Sequence, residues 1–240
     1  AIEATNLGIS TQTEHSQRAF SAAEGGVEDV LSRLSRVASS IPVGGQTTVP
    51  VDVGGITANV NVKSSNVYEA TIDEGTVGQV DLTGYGGNIT VEWIKKGDPS
   101  EDVTPKASVE LTVVCQSNSC AGATGAGGYS QYRRAYQAEP ISGQDGFSSC
   151  SGSIDYVCSA LIQNVVAGDN ARVLRIRPFW RKATIRVSGS PALPVQTYDL
   201  ISTAATELGI TRRVQVQRTV LPQLPAAFDY VFFSEGSIVK

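Results

Sequence analysis

Residues 5–39, TNLGISTQTEHSQRAFSAAEGGVEDVLSRLSRVAS, decide how the rest of the chain is organised. Apolar side chains recur at Phe20, Ala23, Val27, Val30, Leu34 and Val37, at alternating spacings of three and four residues. That period puts them on one face of a helix and is incompatible with a strand. Leu31 and Ala38 widen the seam to the stripe a helix needs when it lies on a globular core. Towards the N-terminus the same seam positions hold Ser16, Thr13, Ile9 and Asn6, which are mostly small or polar. The spacing therefore predicts one helix of about 50 Å, with a lower half that adheres to something and an upper half that does not. Gly25 and Gly26 sit inside it, where each costs about 1 kcal/mol relative to Ala. A kink or the close approach of a strand explains such a pair.

Ser39 to Gly45 end the helix, because Pro42 cannot continue it and Gly44 and Gly45 free the backbone. Thr47–Val53 and Ile56–Val62 then alternate apolar and polar around Gly54-Gly55, a two-residue hairpin signal. Ile56, Ala58, Val60 and Val62 face one way, and Thr57, Asn59 and Asn61 the other. Further strands are expected at Asn66–Ile72, Thr76–Leu82, Asn88–Lys95 and Ser108–Cys115. After a break they resume at Tyr156–Val166, Ala171–Arg177, Ala183–Ser188, Tyr198–Thr203, Arg212–Leu221 and Phe228–Phe233. The break, residues 115–158, holds Gly-rich Ala121–Gly128, then Tyr129, Tyr132, Arg133, Arg134 and Tyr136, then a Gly/Ser-rich run from Ser142 to Ser153. An irregular excursion of that length inside a compact domain is a surface loop, and its tyrosines and arginines are candidate surface contacts.

The chain is 240 residues long, with 24 Gly, 10 Pro and 18% charged residues, which suits a strand-rich body with many turns. A net charge of −4 gives no electrostatic reason to expect nucleic acid. No run approaches the roughly 20 apolar residues that cross a bilayer, and no signal peptide is visible. The chain contains no Met, so Ala1 reads as a cut edge. Cys115, Cys120, Cys150 and Cys158 form an even set that suits two disulfides and an oxidising compartment. Three pairings are open; the local pairs, Cys115–Cys120 and Cys150–Cys158, are preferred to a nested arrangement. Zinc is disfavoured, since the spacings are not those of zinc knuckles and no His lies nearby.

The run Gln17-Arg18-Ala19-Phe20-Ser21-Ala22-Ala23-Glu24-Gly25-Gly26-Val27-Glu28 resembles a signature of PilX-type minor pilins and related type IV pilin-like proteins. Gly26 departs from that signature, where the family usually has a residue such as Ile or Val. The closing region, Leu221–Pro225 and Asp229–Phe233, resembles the C-terminal pattern of some PilX-like proteins less specifically. The resemblance implies that a hydrophobic half-helix and a leader precede Ala1, and that this chain is the soluble part. It also implies that Gly25 and Gly26 mark the passage from the filament-core half of the helix to the half packed on the head.

Catalytic chemistry finds little support. His15, the single histidine, lies on the polar part of the helix without an orienting partner in sequence. It reads as solvent-facing or subunit-facing. The glycine run Gly122–Gly128 is not followed by Gly-Lys-Ser/Thr and is no P-loop. Asp98, Glu101 and Asp102 could approach a calcium ion, but three carboxylates fall short of the 6–8 oxygens it takes, so a solvated turn is the simpler reading. Arg172, Arg175, Arg177, Trp180, Arg181, Lys182 and Arg186 could meet a nucleic acid, yet an ordinary charged sheet face explains them equally well.

Together these readings predict an α+β fold, with a long N-terminal helix packed on a predominantly antiparallel β-sheet head and a disulfide-stapled insertion. The helix is residues 1–40, the head 41–240 and the insertion 115–158, with a split near the cysteine loop as the alternative. Helix packing is assigned to Phe20, Ala23, Val27, Val30, Leu31, Leu34 and Val37. The expected role is that of a minor pilin or pseudopilin in an extracellular filament, membrane-anchored before assembly. Its partners would be other pilin subunits, the inner membrane through the upstream segment, and a ligand in adhesion. No cofactor, metal or enzyme activity is expected. The alternative is a cell-surface β-sandwich module for glycan or protein, with Tyr129, Tyr132, Tyr136 and Trp180 as contacts.

Overall fold

The computed structural model describes residues 2–116, 130–140, 146–165 and 171–225, with backbone alone at 2–10, 130 and 164. The expected last strand, 228–233, lies outside the described residues. Helices α1 (Ile2–Ser32) and α2 (Leu34–Ala38) come first. Strands β1 (Gln46–Val53), β2 (Ile56–Ser65), β3 (Tyr68–Ile72), β4 (Thr76–Asp81), β5 (Gly87–Lys95) and β6 (Ser108–Cys115) follow. They are joined by β7 (Ser130–Gln137), β8 (Ser148–Ser149), β9 (Tyr156–Val165), β10 (Ala171–Phe179), β11 (Ala183–Ser190), β12 (Thr197–Ala205), β13 (Thr211–Thr219) and β14 (Leu224–Pro225).

The α+β expectation is overturned. The described residues are mostly strand and form three sheets. The helix therefore does not organise one antiparallel head. It is a local element of one of two compact units, the first comprising 1–65 and 197–218, the second 66–196 and 219–240.

In the first unit the sheet order is β1-β2-β12-β13. The hairpin closes at Gly54 and Gly55, both in the left-handed region at φ 59° and 79°, as a two-residue primed turn requires. Alternation along β2 then buries Ile56, Ala58, Val60 and Val62 and leaves Thr57 and Asn59 exposed. From Ala19 onward α1 covers this buried face. Ala22 and Ala23 cluster with Ile56, Ala58 and Ala204, and Val30 and Leu34 with Val60, Val62 and Leu200. Contact is close enough to require glycine: a Cβ at Gly26 would lie 2.8 Å from the Ala58 Cβ, and one at Gly25 2.9 Å from Val53 Cγ1. The helical segment ends where the Ser39 and Ser40 hydroxyls donate to the carbonyls of Arg36 and Val37, each at 2.7 Å.

The second unit pairs a six-stranded sheet, β14-β4-β10-β6-β7-β8, with a four-stranded one, β3-β11-β5-β9. Their inner faces share one core that includes Trp93, Leu111, Leu174, Ile176 and Ile185. Trp93, fully buried, donates its indole N–H to the Ala107 carbonyl at 3.0 Å. Burial pushes the phenols of Tyr68 and Tyr156 up from the usual 10.0 to about 12, with the Glu69 carboxylate adding to the effect at Tyr156.

The stretch expected to be irregular contains a regular strand. Strand β7 pairs antiparallel with β6 through Val109↔Tyr136, Leu111↔Arg134 and Val113↔Tyr132. Its alternation was masked by the polar character of Gln131, Arg133 and Arg134 and by the glycine-rich flanks.

Candidate functional site

The helix supplies the first candidate surface. Ala23, Val27, Val30 and Leu34 are buried, and Leu31 and Val37 are half-buried against the same core. Phe20 is instead 44% exposed, while Ala19 and Ala22 are buried. Small residues take the seam here because the helix lies too close to β2 for a ring. Thr11 to Glu14, Gln17 and Arg18 are exposed. On the outer side Asp29 and Arg33 pair at 2.6 Å, and the Arg212 guanidinium donates to Ser16 Oγ at 2.6 and 2.9 Å.

The cysteine region is the second. Cys150 and Cys158 form a disulfide with a Cα–Cα distance of 5.3 Å. Cys115 is also disulfide-bonded, and Cys120 lies outside the described residues, as does Tyr129. Tyr132 and Tyr136 are half-buried and pack against the core, Tyr136 with its ring centroid 6.3 Å from that of Trp93. Arg133 and Arg134 are exposed: Arg133 approaches Glu110 at 3.8 Å, and Arg134 donates to the Tyr132 hydroxyl at 2.7 Å. That bond holds the Arg134 guanidinium above its ordinary pKa.

The acidic loop points its carboxylates apart. Glu101 is only 2% exposed and accepts from Lys95 N, Thr184 N and the Thr184 hydroxyl at 3.0, 2.9 and 2.6 Å. Asp98 accepts from the Ser100 hydroxyl and N–H, which lower its pKa. Asp102 pairs with Lys106 at 3.2 Å. Among the described residues no group of three His, Cys, Asp or Glu could hold a metal ion. The arginines are engaged too: Arg177 lies 4.8 Å over the Phe179 ring, Arg186 reaches Glu92 at 3.8 Å, and Arg181 donates to the carbonyls of Pro105 and Thr104. Trp180 beside them is 45% exposed and sits in the left-handed region at φ 75°, a costly conformation for a bulky side chain.

A feature not anticipated from the sequence is a cavity of about 370 Å³ in the first unit. His15 and Arg18 of α1, Thr57 and Asn59 of β2, and Thr206 and Glu207 of the turn after β12 line it. Thr206 is 7% exposed, and its hydroxyl has no hydrogen-bond partner; neither has the buried Nδ1 of His15. The lining comes from three distant segments, so no contiguous motif announces it. His15 is thus half-buried, not simply solvent-facing. Among the described residues no helix is long and apolar enough to cross a membrane. No protein-family model matches this chain, and no curated protein matches its sequence.

Proposed function

We propose that this chain is a structural subunit of a type IV pilus-like filament, a minor pilin or pseudopilin, which joins its neighbours through the outer face and upstream turns of α1. The observation that carries the reading is the uneven cover on that helix. From Ala19 onward one face is sealed by the sheet, whereas residues 11–14, 17 and 18 are exposed. A helical stretch with so little burial of its own gains stability when another surface covers it. The residues that carry the pilin resemblance, 17–28, straddle this transition. On this reading the strand-rich units are displayed outside the filament, at the cell surface, for adhesion or subunit contacts. Before assembly, an upstream hydrophobic segment holds the subunit in the inner membrane. The role is structural, with no catalytic step.

Immunogold labelling of the producing cells, with an antibody raised against residues 41–225, tests the proposal. Gold particles are expected along or at the tip of surface filaments and absent from a deletion strain. Label spread over the cell body, with filaments bare, would overturn it. A second reading, a surface module for glycan or protein, draws on Trp180: its exposed ring is held at a strained backbone position while Arg181 ties the turn to residues 104 and 105.

A further inference from the structure

We propose that residues 226–240 lie as a strap across the outer face of the six-stranded sheet, with their carboxylates set against Arg175 and Arg177. The inference is independent of the filament reading. It starts from burial on the side of a sheet that faces away from the core. Val109, Leu111 and Val113 of β6 and Leu174 and Ile176 of β10 face the shared core. Alternation turns Ser108, Thr112 and Val114 of β6, and Arg175 and Arg177 of β10, to the other side. Val77 of β4 is turned the same way, because its neighbour Gly78 stands opposite Ile176. Yet Ser108 is 0%, Val77 1%, Thr112 2% and Val114 9% exposed. Long side chains lying over them do not account for this, since those are sealed as well. Gln131, opposite Val114 on β7, has its Oε1 buried, and so are Gln137 Oε1 and Arg175 Nε. A second layer covers this face.

Three properties select residues 226–240 as that layer. The chain reaches this face before position 226: Gln79, outward on β4, donates to the Pro222 carbonyl at 2.8 Å, and β14 pairs with β4 through Leu224↔Val77. Extended at roughly 3.3 Å per residue, the segment spans about 50 Å. Strands β4, β10 and β6 together are only about 15 Å wide. Charge is the second property. Arg133, Thr112 and Arg175 stand side by side in register, as do Glu110 and Arg177. In these two rows three guanidiniums stand beside one carboxylate, and Arg133 is already 3.8 Å from it. A guanidinium shut away from water is costly without an anion at its side. The segment carries Asp229 and Glu235, with Lys240 as its single cation. Residues 117–129, which follow β6 in the same sheet, contain no charged residue and cannot meet the arginines. The third property is apolar surface: Phe228, Tyr230, Val231, Phe232 and Phe233 complement Val77, Val114 and Val173.

The test attaches a nitroxide spin label to Ser234→Cys in the full, oxidised chain and reads the backbone amides by NMR. Amides of residues 112–114 and 173–177 are expected to broaden strongly, while those of 68–72 and 183–187, on the other sheet, stay sharp. Phenylglyoxal labelling of arginines, read by mass spectrometry, gives a second measurement. Adjacent strand residues point to opposite faces, so Phe232→Ser with Phe233→Ser removes whichever ring meets the sheet. Each buried Phe is worth about tenfold or more in docking, so Arg175 should react at least about tenfold faster than in the parent. Asp229→Lys with Glu235→Lys should quicken Arg175 as well, and Arg186 on β11 should keep its rate in both variants. Amides 112–114 as sharp as 68–72, or an unchanged Arg175 rate in both variants, would overturn the proposal. Should Arg186 quicken equally, the unit has unfolded and the spin-label result alone decides.

Discussion

A Gly26→Leu chain is expected to lose the docking of α1 on its sheet, at a cost of about 3 kcal/mol. The added Cβ alone would stand 2.8 Å from the Ala58 Cβ, 3.1 Å from Ser202 Oγ and 3.2 Å from Val60 Cγ2. The Ala58 atom is fixed to the β2 backbone and cannot rotate aside. Intrinsic propensity pulls the other way, because Leu is favoured over Gly in a helix by nearly 1 kcal/mol. The sign of the measured change therefore decides between the two effects. A helix whose Gly26 faced solvent would be stabilised. Chemical denaturation followed by far-UV circular dichroism reads the helix. Trp93 and Trp180 both belong to the second unit, so their emission before denaturant is added should match that of the parent. A helical transition at or above the parent midpoint would refute the packing described here.

Glu101→Ala is expected to destabilise the second unit by about 3–5 kcal/mol. The substitution strips the acceptor from two backbone N–H groups and one hydroxyl in a site only 2% exposed, and each orphaned buried donor costs about 1–3 kcal/mol. Glu101→Gln separates hydrogen bonding from volume. With its oxygen towards Thr184 it keeps the 2.9 and 2.6 Å bonds but sets an NH₂ group against Lys95 N. A loss of about half the alanine value is expected on that account. The measurement is denaturation followed by tryptophan fluorescence, Trp93 lying in the core of this unit. A loss below about 1 kcal/mol for the alanine variant, the size of one ordinary hydrogen bond, would show that Glu101 is a solvated turn residue after all.

What the sequence discloses is what local periodicity can carry. Ala23, Val27, Val30 and Leu34 repeat at helical spacing and are buried, and Ile56, Ala58, Val60 and Val62 alternate and are buried. Phe20 fits the same helical period yet turns outward, because period alone says nothing of how near the sheet comes. At Gly26 even a Cβ would lie 2.8 Å from that of Ala58. The fold class fails for a related reason. Strands expected one by one could belong to one sheet or three, and the pairing that settles it, such as Thr197↔Ser65 or Ala183↔Ile72, joins residues far apart in the chain. Strand β7 was hidden by Arg133 and Arg134, charged residues in a half-buried strand. Glu101 reads as one of three loop acids, and only its tertiary partners reveal a buried acceptor. Thr206 and Glu207 meet His15 and Arg18 at the cavity through the sheet, with no signal in their own segment.

The claim that α1 is the assembly element is tested most directly by a photo-activated crosslinker at Glu14, on the exposed upstream turns, in chains expressed in the producing cell. If the account holds, irradiated surface filaments yield covalent adducts between this chain and neighbouring filament subunits, mapped by mass spectrometry to their helices. The same probe at Leu161, an exposed position on β9 in the second unit, should yield few. Filaments that form normally while the Glu14 probe captures no subunit, or no more than the Leu161 probe does, would contradict it.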